Sequence, residues 1–234
     1  MAFKTLKRFY RKAGAAALGG QFTVELDGKP IKTPAGRPLA VPTTRLAAEM
    51  AAEWAAQGDT VRPETMPVTQ LAATALDRVE PERAAILDQL IKFGETDLLC
   101  YRADCPADLV ARQRRDWQPV LDWAKSALGA HLAVTAGVVA VPQPPEALAA
   151  LAARLESYDP WRLTAVQCAC AAAGSLVLAL ALAEGRLGSA EVFALSQLDE
   201  TYQIEQWGED EEARQRWAAL ERDIAAAARL LALL

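Results

Sequence analysis

The chain has 234 residues, 52% of them hydrophobic and 24% charged, with a formal net charge of −5. This composition can bury a sizeable core and excludes intrinsic disorder, which needs low hydrophobicity together with high net charge. Mild overall acidity also excludes general nucleic-acid binding, which needs a dominant basic face.

Ala and Leu dominate the apolar residues, so the composition predicts a mostly helical protein. The amino end is basic: residues 1–45 hold nine Lys and Arg against Glu25 and Asp27. Its cluster Lys4, Lys7, Arg8, Arg11 and Lys12 lacks the apolar core of a secretory signal, so the mature chain is read as starting at or near Met1. Phe22, Val24 and Leu26 alternate with Thr23 and Glu25, the period of a half-buried strand. Asp27-Gly28 then supplies a turn, Ile31-Lys32-Thr33 a return strand and Leu39-Ala40-Val41 a third short strand. Prolines at 30, 34, 38 and 42 make these strands short, irregular or edge-placed.

Helices follow. Thr43 or Thr44 caps a helix with an apolar stripe of Leu46, Ala47, Met50, Ala51 and Trp54, ending near Gly58. Leu71, Ala72, Ala75 and Val79 mark a second helix. Pro81 starts a third, which Gly94 stops. A longer helix over 107–128 buries Trp117, Leu121 and Ala124 around Pro119. Residues 131–141 fit no element. Pro145 to Ser157 is helical, and a central helix runs from about Trp161 to Glu184. Ser189 caps the next, carrying Val192, Leu195, Leu198, Tyr202 and Gln206 as far as Gly208. A last helix presents Ala213, Trp217, Leu220, Ile224 and Leu231. The expected architecture is α+β and predominantly α: a small α+β domain of short antiparallel strands over 1–80, then a helical bundle over 81–234.

Residues 165–183 carry no charge and approach the length of a membrane span. Gln167, Gly174, Ser175 and abundant Ala favour instead the centre of a helical bundle, with no stable membrane insertion. Cys100, Cys105, Cys168 and Cys170 lack the spacing of a zinc or redox site, and the single histidine, His131, sits beside an apolar segment. No phosphate-binding loop or nucleophile elbow occurs. No enzymatic activity, cofactor or metal is expected.

Two surface features remain. The acidic run Asp199, Glu200, Glu205, Glu209, Asp210, Glu211 and Glu212 is explained in part by carboxylates complementing the dipole of the last helix. Glu205, between Ile204 and Trp207 and just before Gly208, is not explained that way; it is either a contact point or part of a solvated face. The basic, proline-studded stretch from Gly28 to Pro42 reads as a solubilised edge, with docking of a partner strand as the alternative.

The run LDGKPIKTPAGRPLAVPT, followed by Glu53-Trp54-Ala55-Ala56-Gln57, resembles the ATP-synthase assembly chaperones of the ATP-twelve family. Met66 to Leu71 with Ala75-Leu76-Asp77-Arg78, Glu95 to Tyr101 with Asp97, and Gln113 with Trp117, Pro119 and Trp123 continue the likeness. Gln203-Ile204-Glu205-Gln206-Trp207-Gly208 is similar to the family's closing motif, so the resemblance extends from Arg8 to about Ala228. The chain departs from the family pattern in two places. Ala173-Gly174-Ser175 stands where a Thr-Lys-Ser is frequent, and Glu211 and Glu212 stand where a His-Asp pair is frequent.

The resemblance implies a non-enzymatic chaperone with a small α+β domain and an orthogonal helical bundle. It implies binding of the unassembled α subunit of the F-type ATP synthase head, shielded from aggregation until a β subunit takes the chaperone's place. An acidic residue near the closing motif matters in the family, and that role is carried onto Glu205. Trp207, Gly208, Glu200 and Asp210 are the surrounding partner-binding candidates, while Trp54, Asp77 and Asp97 are motif residues read as structural. A monomer is expected, in the bacterial cytoplasm or, for a processed eukaryotic form, the mitochondrial matrix. The rival classes are a carboxylate-based enzyme built on Glu200 and Glu205, and a generic helical adaptor. Suppression of α-subunit aggregation without nucleotide hydrolysis separates the three.

Overall fold

A computed structural model describes residues 6–137, 139–208 and 211–234. Four short strands open the chain: β1 (Leu6–Lys7), β2 (Ala13–Leu18), β3 (Gln21–Leu26) and β4 (Lys29–Pro30). Then come α1 (Thr44–Ala55), β5 (Thr60–Val61), α2 (Pro67–Thr74), α3 (Arg83–Glu95), β6 (Tyr101–Arg102), α4 (Ala107–Trp123) and β7 (Thr135–Ala136). Helices complete the described chain: α5 (Pro145–Glu156), α6 (Pro160–Ala173), α7 (Leu176–Ala183), α8 (Ser189–Ser196), α9 (Leu198–Trp207) and α10 (Glu211–Leu233). The described residues are thus mostly helical, preceded by a three-stranded antiparallel sheet in the order β2-β3-β4; the class is the one expected, and the strands differ.

Strand β2 is the element the periodicity does not reveal. Its sequence, Ala-Gly-Ala-Ala-Ala-Leu, carries helix formers and no β-branched residue, yet it pairs with β3 over six residues from Ala13↔Leu26 to Leu18↔Gln21. Gly19 and Gly20, with φ of +57° and +84°, close the hairpin in a conformation that costs glycine little. Tertiary pairing here overrides local propensity. The return strand is Lys29–Pro30 and not the expected Ile31–Thr33, of which only Lys32 forms an isolated bridge, to Pro38. The third reduces to the isolated bridge Phe22↔Val41, because the prolines remove the donors a ladder needs.

The chain divides into two compact units. The first comprises Met1–Arg83, Pro160–Ala165 and Arg229–Leu234. Helix α1 packs on β2 and β3; its Leu46, Ala47 and Met50 are buried, as are Val24 and Leu26 of β3. Thr43 caps α1, its Oγ1 accepting from the Leu46 N–H at 3.1 Å and donating to the Leu233 carbonyl at 2.6 Å. Glu53 on α1 accepts from the N–H groups of Val68 and Thr69, both at 2.8 Å, and so caps α2. Trp54 is half-buried; its ring meets Tyr10 edge-on at 5.7 Å, and the Tyr10 hydroxyl donates to the Trp54 carbonyl at 2.7 Å. Asp77, in the π-helical turn after α2, accepts from the Thr33 hydroxyl at 2.7 Å and the Ala35 N–H at 2.9 Å. Together with the Arg37–Glu80 ion pair at 2.6 Å, it folds the basic 33–37 turn back onto helix.

The second unit comprises Ala84–Asp159 and Val166–Ala228. Its centre is α7, every residue of which is buried. The expected continuous central helix is in fact two, because Gly174 takes φ +66° and Ser175 becomes the cap of α7. Asp97 fixes that break from the side: fully buried, it accepts from Ser175 Oγ at 2.8 Å, Val177 N–H at 3.0 Å and Leu99 N–H at 3.1 Å. Broken there, no helix of the described residues is long and apolar enough to cross a membrane. Gly94 does not stop α3, which runs on to Glu95. A Cβ at this position would sit 3.1 Å from Leu151 and 3.4 Å from Leu176, so the glycine serves close helix packing. Helix α4 continues through a π-helical turn to Leu128, with Pro119 inside it. The unassigned segment contributes β7, which pairs in parallel with β6; Val138 lies outside the described residues. The helix expected from Ser189 divides at Gln197 into α8 and α9. Its cap is Gly188 rather than Ser189, with Glu191 accepting from the Gly188 N–H at 2.8 Å.

Candidate functional site

Within the second unit, α4 and α9 meet through polar ladders that the linear sequence does not display. Tyr202, one turn after Leu198 on the buried stripe of α9, donates through its hydroxyl to the Asp108 carboxylate at 3.0 Å. One turn further along each helix, Arg112 grips Glu205 with both guanidinium arms, Nη1–Oε1 at 3.0 Å and Nη2–Oε2 at 2.9 Å. The same guanidinium lies 5.8 Å from the centre of the Tyr202 ring. Bonding to Glu205 raises the Arg112 pKa above its ordinary value, which keeps the guanidinium charged. Gln113, buried, donates to Asp199 at 2.7 Å and accepts from the Ala103 N–H at 2.8 Å. Trp117, buried one turn on, donates from Nε1 to the Leu195 carbonyl at 2.9 Å.

These contacts set the wall of an open groove of about 550 Å³ whose apolar floor includes Val120, Leu187, Leu195 and Leu198. Arg112 and Glu205 stand at its rim, their side chains 29% and 46% exposed. Past that rim α9 ends at Gly208, where φ +88° and ψ 165° turn the chain out of the helix. Trp207 in the last turn is 78% exposed, the largest exposure among the big apolar side chains of the described residues.

The sequence-derived candidates therefore separate. Glu205, Trp207 and Gly208 are exposed in or just past the last turn of one helix, and Glu200 is half-buried on the same helix. Asp210 lies outside the described residues. Trp54, Asp77 and Asp97 each satisfy backbone or packing demands within their own unit. Sequence reasoning missed Arg112 and Asp108. The available signal was their spacing of four on a helical pattern, one face of α4, but nothing local names α9 as the partner.

Residues 7–125 match the family model described as ATP12 chaperone protein. The solved Atp12 of Paracoccus denitrificans is 40% identical, with a TM-score of 0.93 and 97% of this chain and 98% of that chain covered. A solved protein of Agrobacterium tumefaciens is 46% identical, also with a TM-score of 0.93, over 97% of this chain and 85% of the other. The mitochondrial protein atp12 of Schizosaccharomyces pombe is 28% identical over 223 residues, which is 90% of this chain and 77% of the relative. With a family match over half the sequence and structural likeness over nearly all of it, the chain belongs to the ATP12 chaperone family, a family of non-enzymatic ATP synthase assembly factors.

Proposed function

We propose that the protein binds the unassembled α subunit of the F-type ATP synthase head and holds it from aggregating until a β subunit replaces it. It acts as a monomer in the compartment where the head is assembled. The observation that carries the site is the exposed end of α9. Trp207 is 78% exposed in the last turn of the same helix as Glu205, a carboxylate that is held by one arginine and still half open to water. A large exposed aromatic and an oriented charge within one helical turn are the residue types of a binding hot spot. Gly208 ends the helix, Glu200 adds a further carboxylate on it, and Asp210, two residues on in the sequence, is kept as a candidate.

The Arg112–Glu205 pair is exposed enough that its loss costs folding only ~0–1 kcal/mol. Glu205→Gln and Trp207→Ala should therefore melt within a few degrees of wild type and protect isolated α subunit poorly from aggregation. Glu205→Lys should protect least, because it sets a second cation against Arg112 and against the client's complementary group. A thermal melt paired with light scattering of the α subunit checks this. Normal melting with full protection by all three variants would falsify the assignment of the site.

A further inference from the structure

The first unit exposes a sheet edge that the polar, proline-rich stretch does not guard. Both outer strands of the sheet are edges, and β4 is only two residues long. The far side of β3 is further occupied by Val41, which exchanges bonds with Phe22 at 2.9 and 2.7 Å, and by Ile31, which donates to Val24 at 3.0 Å. The stretch from Gly28 to Pro42 is thus folded back on its own sheet and helix. The other edge, β2, is open.

The register identifies which groups of β2 face outward. Asp27 N–H donates to the Lys12 carbonyl at 3.0 Å, so Lys12 belongs to the set facing β3. In an antiparallel pair that set continues at every second residue, through Gly14, Ala16 and Leu18. The N–H and C=O groups of Ala13, Ala15 and Ala17 therefore point off the outer edge, where none has a partner among the described residues. Ala15 and Ala17 are exposed. Natural edges are usually blunted by Lys, Pro, a bulge or extreme shortness, and β2 has six residues in unbroken register with none of these.

We infer that this edge accepts one extended segment of the client polypeptide as an added strand, with a carboxylate of that segment meeting Arg11 and Lys12. The inference rests on the chaperone reading above. Charge selects the occupant. Arg11 and Lys12 immediately precede the strand, are exposed, and have no carboxylate within salt-bridge distance among the described residues, Asp27 acting on their side chains only as a nearby charge. Asp27, the nearby carboxylate, spends its oxygens on their backbone N–H groups at 2.8–3.2 Å. A second copy of the chain pairing edge to edge about Ala15 would set Arg11 against Gly19 and Lys12 against Leu18. No acid meets them, and two alanine faces bury little apolar area. A different chain with larger apolar side chains and an acid at one end satisfies both demands. Phe9, 68% exposed two residues before Arg11, offers such a segment an apolar contact.

The test is amide hydrogen exchange on the intact protein, alone and in complex with isolated α subunit. Exchange at Ala13, Ala15 and Ala17 should slow at least tenfold in the complex, while Gly14, Ala16 and Leu18 are already slow without it. Ala15→Pro removes an outward N–H that no ladder bond uses. It should melt near wild type and bind the α subunit at least tenfold more weakly. The double change Arg11→Ala, Lys12→Ala leaves the backbone alone and should weaken binding and its salt dependence together. Binding with unchanged exchange at the three alanines overturns the edge proposal while leaving the chaperone reading intact. Protection that rises with protein concentration without client assigns the edge to a second copy and overturns it as well. No binding to the α subunit at all overturns both.

Discussion

Asp97 has no contact with solvent and accepts from the Ser175 hydroxyl and the N–H groups of Val177 and Leu99. Burial outweighs these bonds and pushes its pKa up to about 6. Its unfolded value is roughly 3.9, so between about pH 4 and pH 6 the folded state binds the extra proton. The Asp97 contribution to stability is therefore greatest below that window, falls as pH rises through it, and levels off above. Stability of wild type minus that of Asp97→Asn should accordingly drop by roughly 2–3 kcal/mol from pH 4 to pH 6.5, read by urea denaturation. A difference that stays flat would mean the carboxyl titrates as if in water. Trp54 sets a different balance. Half-buried and braced on one side by Tyr10, it should cost about 2–3 kcal/mol on truncation to Ala, less than a fully enclosed tryptophan. A loss under about 1 kcal/mol would show that the edge-on contact with Tyr10 contributes little.

At the scale of elements, the break between α6 and α7 decides what the longest apolar run becomes. Gly174 stands at φ +66° with open space around its Cβ position, so substitution there meets conformational cost alone. Gly174→Ala should lower stability by about 1–2 kcal/mol, measured as a shift in urea midpoint with unchanged slope. An Ala variant as stable as wild type would imply that α6 and α7 can join in one helix. The same physics in reverse explains β2. A sequence of alanines carries no strand preference of its own, and Gly19-Gly20 with the register to β3 supplies what propensity does not. Its openness on the outer side is what lets it be tested as a docking edge.

For the whole molecule, the four thiols are free and unequally placed: Cys100 and Cys170 are buried, Cys168 is half-covered and Cys105 is exposed. Burial pushes the thiols of Cys100 and Cys168 up to about 12, and that of Cys170 well above its ordinary range, so these thiolates are scarce at neutral pH. Asp104 raises the Cys105 thiol pKa as well, so exposure alone should make Cys105 the first to react with a thiol reagent in the folded protein, and all four should react on unfolding. Melting should not depend on reductant. Rapid modification of more than one thiol in native buffer would place one of the covered cysteines at an opening in the fold.

Composition and periodicity by themselves determined the class and the order of events along the chain. Ala-Leu richness led to helices, the alternation of Phe22, Val24 and Leu26 to β3, the Leu46–Met50 stripe to the core face of α1, and the family motifs to an assembly chaperone. These signals are local: each needs only the period of one element or the residues of one motif. What only the tertiary structure decided is who meets whom. Nothing near Glu205 in sequence names Arg112, 93 residues away, and nothing near Ser175 names Asp97, 78 residues away. Nor does any local pattern show that Ala13–Leu18 is a strand with a free outer edge, or that Gly94 is a point of close packing. Charge pairing, buried capping and strand addition depend on groups brought together across long loops, and helical or strand period carries no record of which partner lies on the other side.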